Sequence, residues 1–311
     1  MKQGIIRKLD FDLNTLWTYE TAMDSTKYLA CGIDGDCSEV GISFIDIAES
    51  ISNSNEIVAI ASELKEDTEG YSKYAIWIYR INKDSGALIE KIEYSSISNN
   101  VRAEQFIAGE DAYYLTSYDY GSNSQATLTK LNSSFNTMWS TVIESNAEYY
   151  NKLDILQQLP NNQGIVVGGR LRMNGSDNGY IALFNEESGN KSWTNHSNNN
   201  DFPDFIGLLP EVPYDSTSIS PDDNYMIAAS TSSGGGSNGD YSGIKVQRIR
   251  ISNGEVVHSE SLPETGVFHN RGFTGWSDMF YTGADNYAIV GQSRKTATNE
   301  YFQDQYSGAY Y

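Results

Sequence analysis

Short apolar runs alternating with polar residues, broken at close intervals by Gly, Asn, Asp, Ser and Pro, run along the whole chain. Ile219 to His258 shows the pattern most fully: a strand, an Asp-Asn turn, an apolar strand, a Gly/Ser-rich loop, a further apolar strand, a Ser-Asn-Gly turn and the start of a fourth strand. Turn residues interrupting β-prone runs in this way predict antiparallel hairpins.

Two kinds of hairpin alternate. The first, an apolar strand after a polar turn, recurs at 52–62, 108–117, 160–169, 220–230 and 283–293. The second, an apolar strand, a polar turn and often a Trp, recurs at 4–17, 74–89, 126–139, 179–193 and 243–257. The strand ends Ser62, Ser117, Gly169, Ser230 and Ser293 lie 55, 52, 61 and 63 residues apart. Four strands in a repeat of that size predict an all-β propeller blade. Repeat architectures grow by adding units to one ring, so residues 1–311 read as a single domain.

The first hairpin, 4–17, is the second half of a blade with no first half before it. At the other end QYSGAYY (305–311) begins like DYSGIKV (240–246) and stops. A ring closes well when its last blade combines strands from both ends, because two unpaired edges then satisfy one another. That predicts five four-stranded blades, four continuous and one composite, or six or seven if the chain is a piece of something longer. Trp17, Trp139 and Trp193 recur at equivalent places and read as packing residues between blades. In 244–251 the apolar alternation slips between Val246 and Ile249, which predicts a bulge.

Composition adds constraints. Hydrophobic residues make up 39% of the chain, which suits short, half-buried strands. No apolar run approaches the roughly 20 residues of a membrane helix. Met1 leads straight into a predicted strand, so no leader is expected, and the chain reads as a cytoplasmic protein or as a mature or excised piece of a secreted one. The formal charge of −20 argues against nucleic acid and anionic membranes as partners, since the long-range field repels polyanions.

Cys31 and Cys37, the two cysteines present, flank a Gly-Ile-Asp-Gly-Asp turn. A disulfide closing that short loop contributes roughly 2 kcal/mol on the chain-entropy model and places the protein in an oxidising compartment. Asp34, Asp36 and Glu39 could offer oxygens to Ca2+, but their spacing matches no known loop, so a solvated acidic turn is the preferred reading and no metal is expected. Asn132, Asn174, Asn190 and Asn195 stand in glycosylation sequons, about as many as chance supplies in so Asn/Ser-rich a chain.

The long segments (18–43, 195–214, 231–241, 258–275 and 294–305) fall between hairpins and should emerge on one face, where recognition is expected. Two of them pair aromatic with charged or amide groups: 198–215, with Asp201 and Asp204, and 264–276, with His269, Arg271, Phe273 and Trp276. The second mixture suits a carbohydrate or peptide contact. A loop packed under its own aromatics is the plainer alternative. Three histidines leave little material for a metallohydrolase or a Ser-His-Asp site, and 233–239 lacks the Lys and helix of a phosphate loop.

Some five-bladed propellers that this layout resembles are glycosidases, with acids on inner strands lining a central funnel. Asp46, Glu104, Asp154, Asp215 and Asp278 lie near first-strand positions and could line one. They recur at blade period, as structural positions do, so no catalytic residue is assigned.

The segments 126–139 and 160–169 carry a wider resemblance. Their Tyr-x-x-x-Lys-Leu-Asn/Asp-like strand, turn, Trp, Asp-Gly-type turn and Ile-Val-x-Gly strand resemble repeat propellers of bacterial and protist surface proteins. The resemblance spans nearly the whole chain and implies an extracellular adhesion or assembly module without shared catalytic residues. The expectation is therefore a non-enzymatic binding or structural module of a cell-surface assembly, with protein or glycan as partner and no cofactor. A propeller glycosidase and a cytoplasmic protein-interaction scaffold are the alternatives.

Overall fold

The computed structural model describes residues 4–21, 30–31, 37–38, 41–66, 72–120, 125–145, 147, 149–173, 175–196, 204–210, 225–233, 240–262, 268–269, 278–283 and 286–290. The fold is all-β, in two compact units, Met1–Ser145 and Asn146–Tyr311. Among the described residues no helix is long and apolar enough to cross a membrane.

The first unit opens with a two-stranded sheet of β1 (Ile5–Leu9) and β2 (Thr15–Glu20), then a short ladder of β3 (Ala30–Cys31) and β4 (Cys37–Ser38). Two four-stranded antiparallel meanders follow. Sheet I holds β5 (Gly41–Glu49), β6 (Glu56–Glu66), β7 (Ser72–Asn82) and β8 (Leu88–Ser95); sheet II holds β9 (Val101–Ala108), β10 (Tyr113–Asp119), β11 (Ala126–Leu131) and β12 (Thr137–Val142). The second unit repeats the plan. Sheet III holds β13 (Tyr149–Leu159), β14 (Gly164–Met173), β15 (Ser176–Phe184) and β16 (Lys191–His196). Sheet IV holds β17 (Asp204–Pro210), β18 (Tyr225–Ser233), β19 (Asp240–Arg250) and β20 (Val256–Leu262), with β21 (Phe268–His269) added on β19. Last comes a two-stranded sheet of β22 (Asp278–Gly283) and β23 (Asn286–Val290).

Sheet I is apolar on both faces because it is sandwiched. Alternate residues of β6 serve opposite neighbours: Val58 and Ile60 pack with Phe106, Tyr113, Leu115 and Phe135 of sheet II, while Ala59 and Ala61 pack with Ile6, Trp17 and Tyr19 of the first hairpin. In the second unit Ile155, Val166, Ile181 and Leu183 of sheet III meet Met226, Ala228 and Ile249 of sheet IV. First strands neighbour one another, β5 beside β9, β13 beside β17 and β17 beside β22.

The repeat extends to single hydrogen bonds. In the turn after β1, Asp10 Oδ1 accepts the N–H groups of Asp12 and Asn14, and in the turn after β11 Asn132 Oδ1 accepts those of Ser134 and Asn136. The turns after β7, β15 and β19 instead place Gly86, Gly189 and Gly254 at φ near +70°, each N–H donating back four residues to Asn82, Asn185 and Arg250.

Trp17 and Trp193 are packing residues, as read from the sequence. Trp17 Nε1 donates to the Lys83 carbonyl at 3.0 Å, and Trp193 Nε1 to the Ile251 carbonyl at 2.7 Å. Each ring lies on the turn glycine of the following sheet, Gly86 or Gly254. At the same register sheet I has Glu90 opposite Arg80, and sheet IV has His258 opposite Arg248. The Arg80 guanidinium bridges Glu90 and the buried Glu56 at 2.8 and 2.7 Å.

The bulge predicted in 244–251 falls instead on the paired strand: β19 keeps step with β18 over 244–250, and the register against β20 shifts between Arg248 and Ile249, with counterparts at Lys8/Leu9, Arg80/Ile81, Lys130/Leu131 and Leu183/Phe184. The extra residue lies on the fourth strand, and four of the five, Leu16, Ile89, Met138 and Val257, are exposed hydrophobics. A second set of bulges marks the first strands. Ile45, Glu104, Asp154 and Ile206 are the extra residues, opposite Ala61/Ile60, Ser117/Thr116, Gly169/Gly168 and Ser230/Ala229 respectively. This register makes Ala61, not Ser62, the counterpart of Ser117.

Candidate functional site

Two ends of the sheets differ in kind. One carries the tight turns just described, closed by their own backbone and side-chain hydrogen bonds. The other carries the second-to-third-strand and sheet-to-sheet connections, with Met173 of β14 paired directly to Ser176 of β15. The expectation that every long segment falls at this end fails in sheet IV, because 204–210 pairs as a first strand and residues 211–224, which lie outside the described residues, join it to β18 at the turn end.

In the first unit a polar and aromatic cluster forms at this second end. The start of β7 supplies Tyr74, the start of β9 supplies Arg102 and Glu104, and the end of β10 supplies Tyr118 and, just beyond it, Tyr120. Sheet pairing puts Arg102 opposite Tyr118, and the first-strand bulge falls on Glu104. The Tyr74 and Tyr120 rings lie 5.1 Å apart, inclined at 38°, and Tyr118 meets Tyr120 edge-on at 4.6 Å. The Arg102 guanidinium sits 5.7 Å from the Tyr74 ring, its Nη1 donates to the Tyr120 hydroxyl at 3.4 Å, and its Nε lies 3.7 Å from Glu104. Asn100, in a left-handed conformation at φ 52°, accepts the Tyr74 N–H and so ties β7 to the approach of β9. Burial opposes the charge on Arg102, but Glu104, Tyr120 and Tyr74 together outweigh it and the guanidinium's pKa is raised. Burial likewise raises the Tyr120 hydroxyl, against a partial offset from Arg102. Tyr118 is buried, whereas Tyr120 is 43% exposed.

The first-strand acids are placed differently. Asp46 Oδ1 accepts the Ile47 N–H at 2.8 Å and Oδ2 the Phe106 N–H at 3.3 Å, so this carboxylate ties sheet I to sheet II. Burial raises its pKa, and the two N–H bonds pull it partly back. Glu104 faces Arg102. In backbone register Asp154 occupies the equivalent bulge in sheet III and Asp278 pairs with Val290. Asp215 lies outside the described residues.

Of the other residues singled out from the sequence, Cys31 stands directly opposite Cys37 across the β3–β4 ladder. Asp204 pairs with Thr231 at the register that Arg102 holds in sheet II, and His269 pairs with Asp240 at the start of β19. Asp201, Arg271, Phe273, Trp276, Asn174, Asp34, Asp36 and Glu39 lie outside the described residues. Asn190 is exposed, while the Asn195 amide donates to the Gly254 carbonyl at 3.3 Å. Among the described residues no three His, Cys, Asp or Glu side chains gather as a metal site would require.

Sequence reasoning passed over Arg102 and its tyrosines. The signal was the Ser-Tyr-Asp-Tyr run at 117–120, which only the register brings against Arg102 and Tyr74.

No protein-family model and no curated protein matches the chain. Among solved structures it is similar to quinohemoprotein alcohol dehydrogenase from Comamonas testosteroni, at 11% identity and a TM-score of 0.38 over 81% of this chain and 42% of that one. It is similar to a B. megaterium levansucrase variant at 9% identity and a TM-score of 0.38, over 92% of this chain and 87% of that one. Kluyveromyces lactis Hsv2p is similar at 9% identity and a TM-score of 0.30, over 85% of this chain and 97% of that one.

Proposed function

We propose that the chain is a non-enzymatic propeller-type binding or structural module of an extracellular or cell-surface assembly, recognising protein or glycan through the end of its sheets opposite the tight turns. The observation that supports this most is the division between those ends: self-satisfied turns at one, and exposed tyrosine beside a partly buried Arg–Glu pair at the other. Aromatic rings and arginine are the groups that recognition surfaces favour.

A glycosidase is the rival. The raised pKa of Asp46 favours it, since a general acid must hold its proton. Against it, both oxygens of Asp46 accept backbone N–H groups and Glu104 is paired with Arg102. A glycan-binding array run beside a hydrolysis assay separates the two: binding without turnover is expected, and turnover abolished by a single Asp or Glu change overturns the proposal.

The location rests on a Cys31–Cys37 cross-link, supported by directly opposed backbone positions, where Cα separations of about 4.5–5.5 Å suit a disulfide. Non-reducing mass analysis of native material should find two hydrogens fewer than the free-thiol mass. Free thiols at both positions would favour the cytoplasmic scaffold instead.

A further inference from the structure

We propose that Tyr74, Arg102, Glu104 and Tyr120 form a subsite for one neutral hexose ring, an assignment that rests on the binding-module reading and names the ligand class of its exposed end. Two tyrosine rings 5.1 Å apart provide an apolar face with polar tips, and a third ring, Tyr118, holds Tyr120 edge-on. A sugar presents the complement, an apolar face of C–H groups edged by hydroxyls that both donate and accept.

The polar groups beside the rings match that edge. Arg102 uses Nε toward Glu104 and Nη1 toward Tyr120. A guanidinium donates only and a carboxylate accepts only, so the pair offers a hydroxyl both roles within one ring's width. With the cation already facing Glu104 and the chain carrying a net charge of −20, the balance favours a neutral sugar over a uronic or sialic acid, which the surrounding field repels. The β7, β9 and β10 ends come from two packed sheets, so the subsite is positioned by strands.

The test uses the full chain on immobilised neutral hexose oligosaccharides, with sialylated and uronate oligosaccharides alongside, and the variants Tyr120→Ala and Arg102→Gln. Retention on neutral hexoses is expected, with affinity lowered about tenfold by each variant, a loss of one stacking or charge-assisted contact. Circular dichroism of both variants checks the fold; should Tyr120→Ala unfold, Arg102→Gln, at a 38% exposed side chain, carries the comparison. No retention on any neutral hexose, preference for acidic sugars, or retention unchanged in a folded variant overturns the subsite. Hexose binding that survives both variants leaves the broader binding proposal standing, whereas hydrolysis of the probe removes that proposal instead.

Discussion

Gly86 and Gly254 are two solutions of one local problem. Each holds a left-handed backbone, φ +71° and +75°, and a Cβ there would stand 2.7 or 2.6 Å from the Trp17 or Trp193 ring. Gly175 shares the conformation, φ +74°, with nothing within 4 Å of its Cβ position. Gly175→Ala should therefore cost only the left-handed penalty, about 1–2 kcal/mol. Gly86→Ala and Gly254→Ala should lose about 1–3 kcal/mol more, because the indole must move and its hydrogen bond with it. Urea unfolding of the three variants checks this; equal losses would show that the tryptophans yield freely. Asp46 supplies a second prediction. With its folded pKa above the ordinary value near 3.9, the native state holds its proton to higher pH than the unfolded chain does. Its contribution is thus fully present below the unfolded pKa and lost as pH rises through the folded one. Relative to Asp46→Asn, the natural protein should lose stability as pH rises from about 4, levelling off once the carboxyl is ionised. A stability difference between the two that stays flat with pH would rule this out.

The turns after β1 and β11 show how much of an element's energy comes from its setting. Leu13 and Phe135 hold the same backbone, φ 64° and 62°, with matching hydrogen bonds, yet Leu13 is 76% exposed and Phe135 8%, its ring stacked on Tyr113 at 5.1 Å. Leu13→Gly should leave stability within about 1 kcal/mol of the natural protein, relief of left-handed strain offsetting added chain entropy. Phe135→Gly should cost about 3 kcal/mol or more through lost burial. Thermal melts of both decide it, and similar losses would mean that the turn, not the packing, dominates. Alternation and turn residues made the hairpins legible in the sequence, since these are local signals. Pairing Ser62 with Ser117 followed residue identity, whereas register runs from the turn closed between Ser50 and Glu56 and aligns Ala61. The first-strand bulges were not legible: Ile45 and Ile206 continue apolar runs that read as unbroken strand. For the same reason Arg102, Tyr74 and Tyr120 did not read as neighbours, because their meeting depends on packing between sheets.

At the scale of the molecule, charge is the term that no single contact balances. Acidic side chains number 41 against 21 basic, and several of the basic ones are held by particular partners: Arg80 by Glu56 and Glu90, Lys65 by Glu63, Lys83 by Glu49. The more exposed of these pairs contribute little each and weaken with salt. Self-repulsion among the excess carboxylates acts over longer distances and is screened by the same salt, whose Debye length falls from about 30 Å at 0.01 M to about 8 Å at 0.15 M. Two opposing responses therefore compete, and an excess of 20 negative charges tips the sum toward repulsion. Raising NaCl across that range at neutral pH should lift the melting temperature by roughly 2 °C, the equivalent of about 1 kcal/mol for a domain of ordinary size. Scanning calorimetry at fixed pH measures it, with sodium sulfate at matched ionic strength as a comparison: agreement between the salts assigns the effect to screening, since sulfate alone also strengthens apolar burial. A fall in melting temperature with NaCl would mean that the local pairs outweigh the net field, and would place the main electrostatic stabilisation in clusters such as Glu56–Arg80–Glu90.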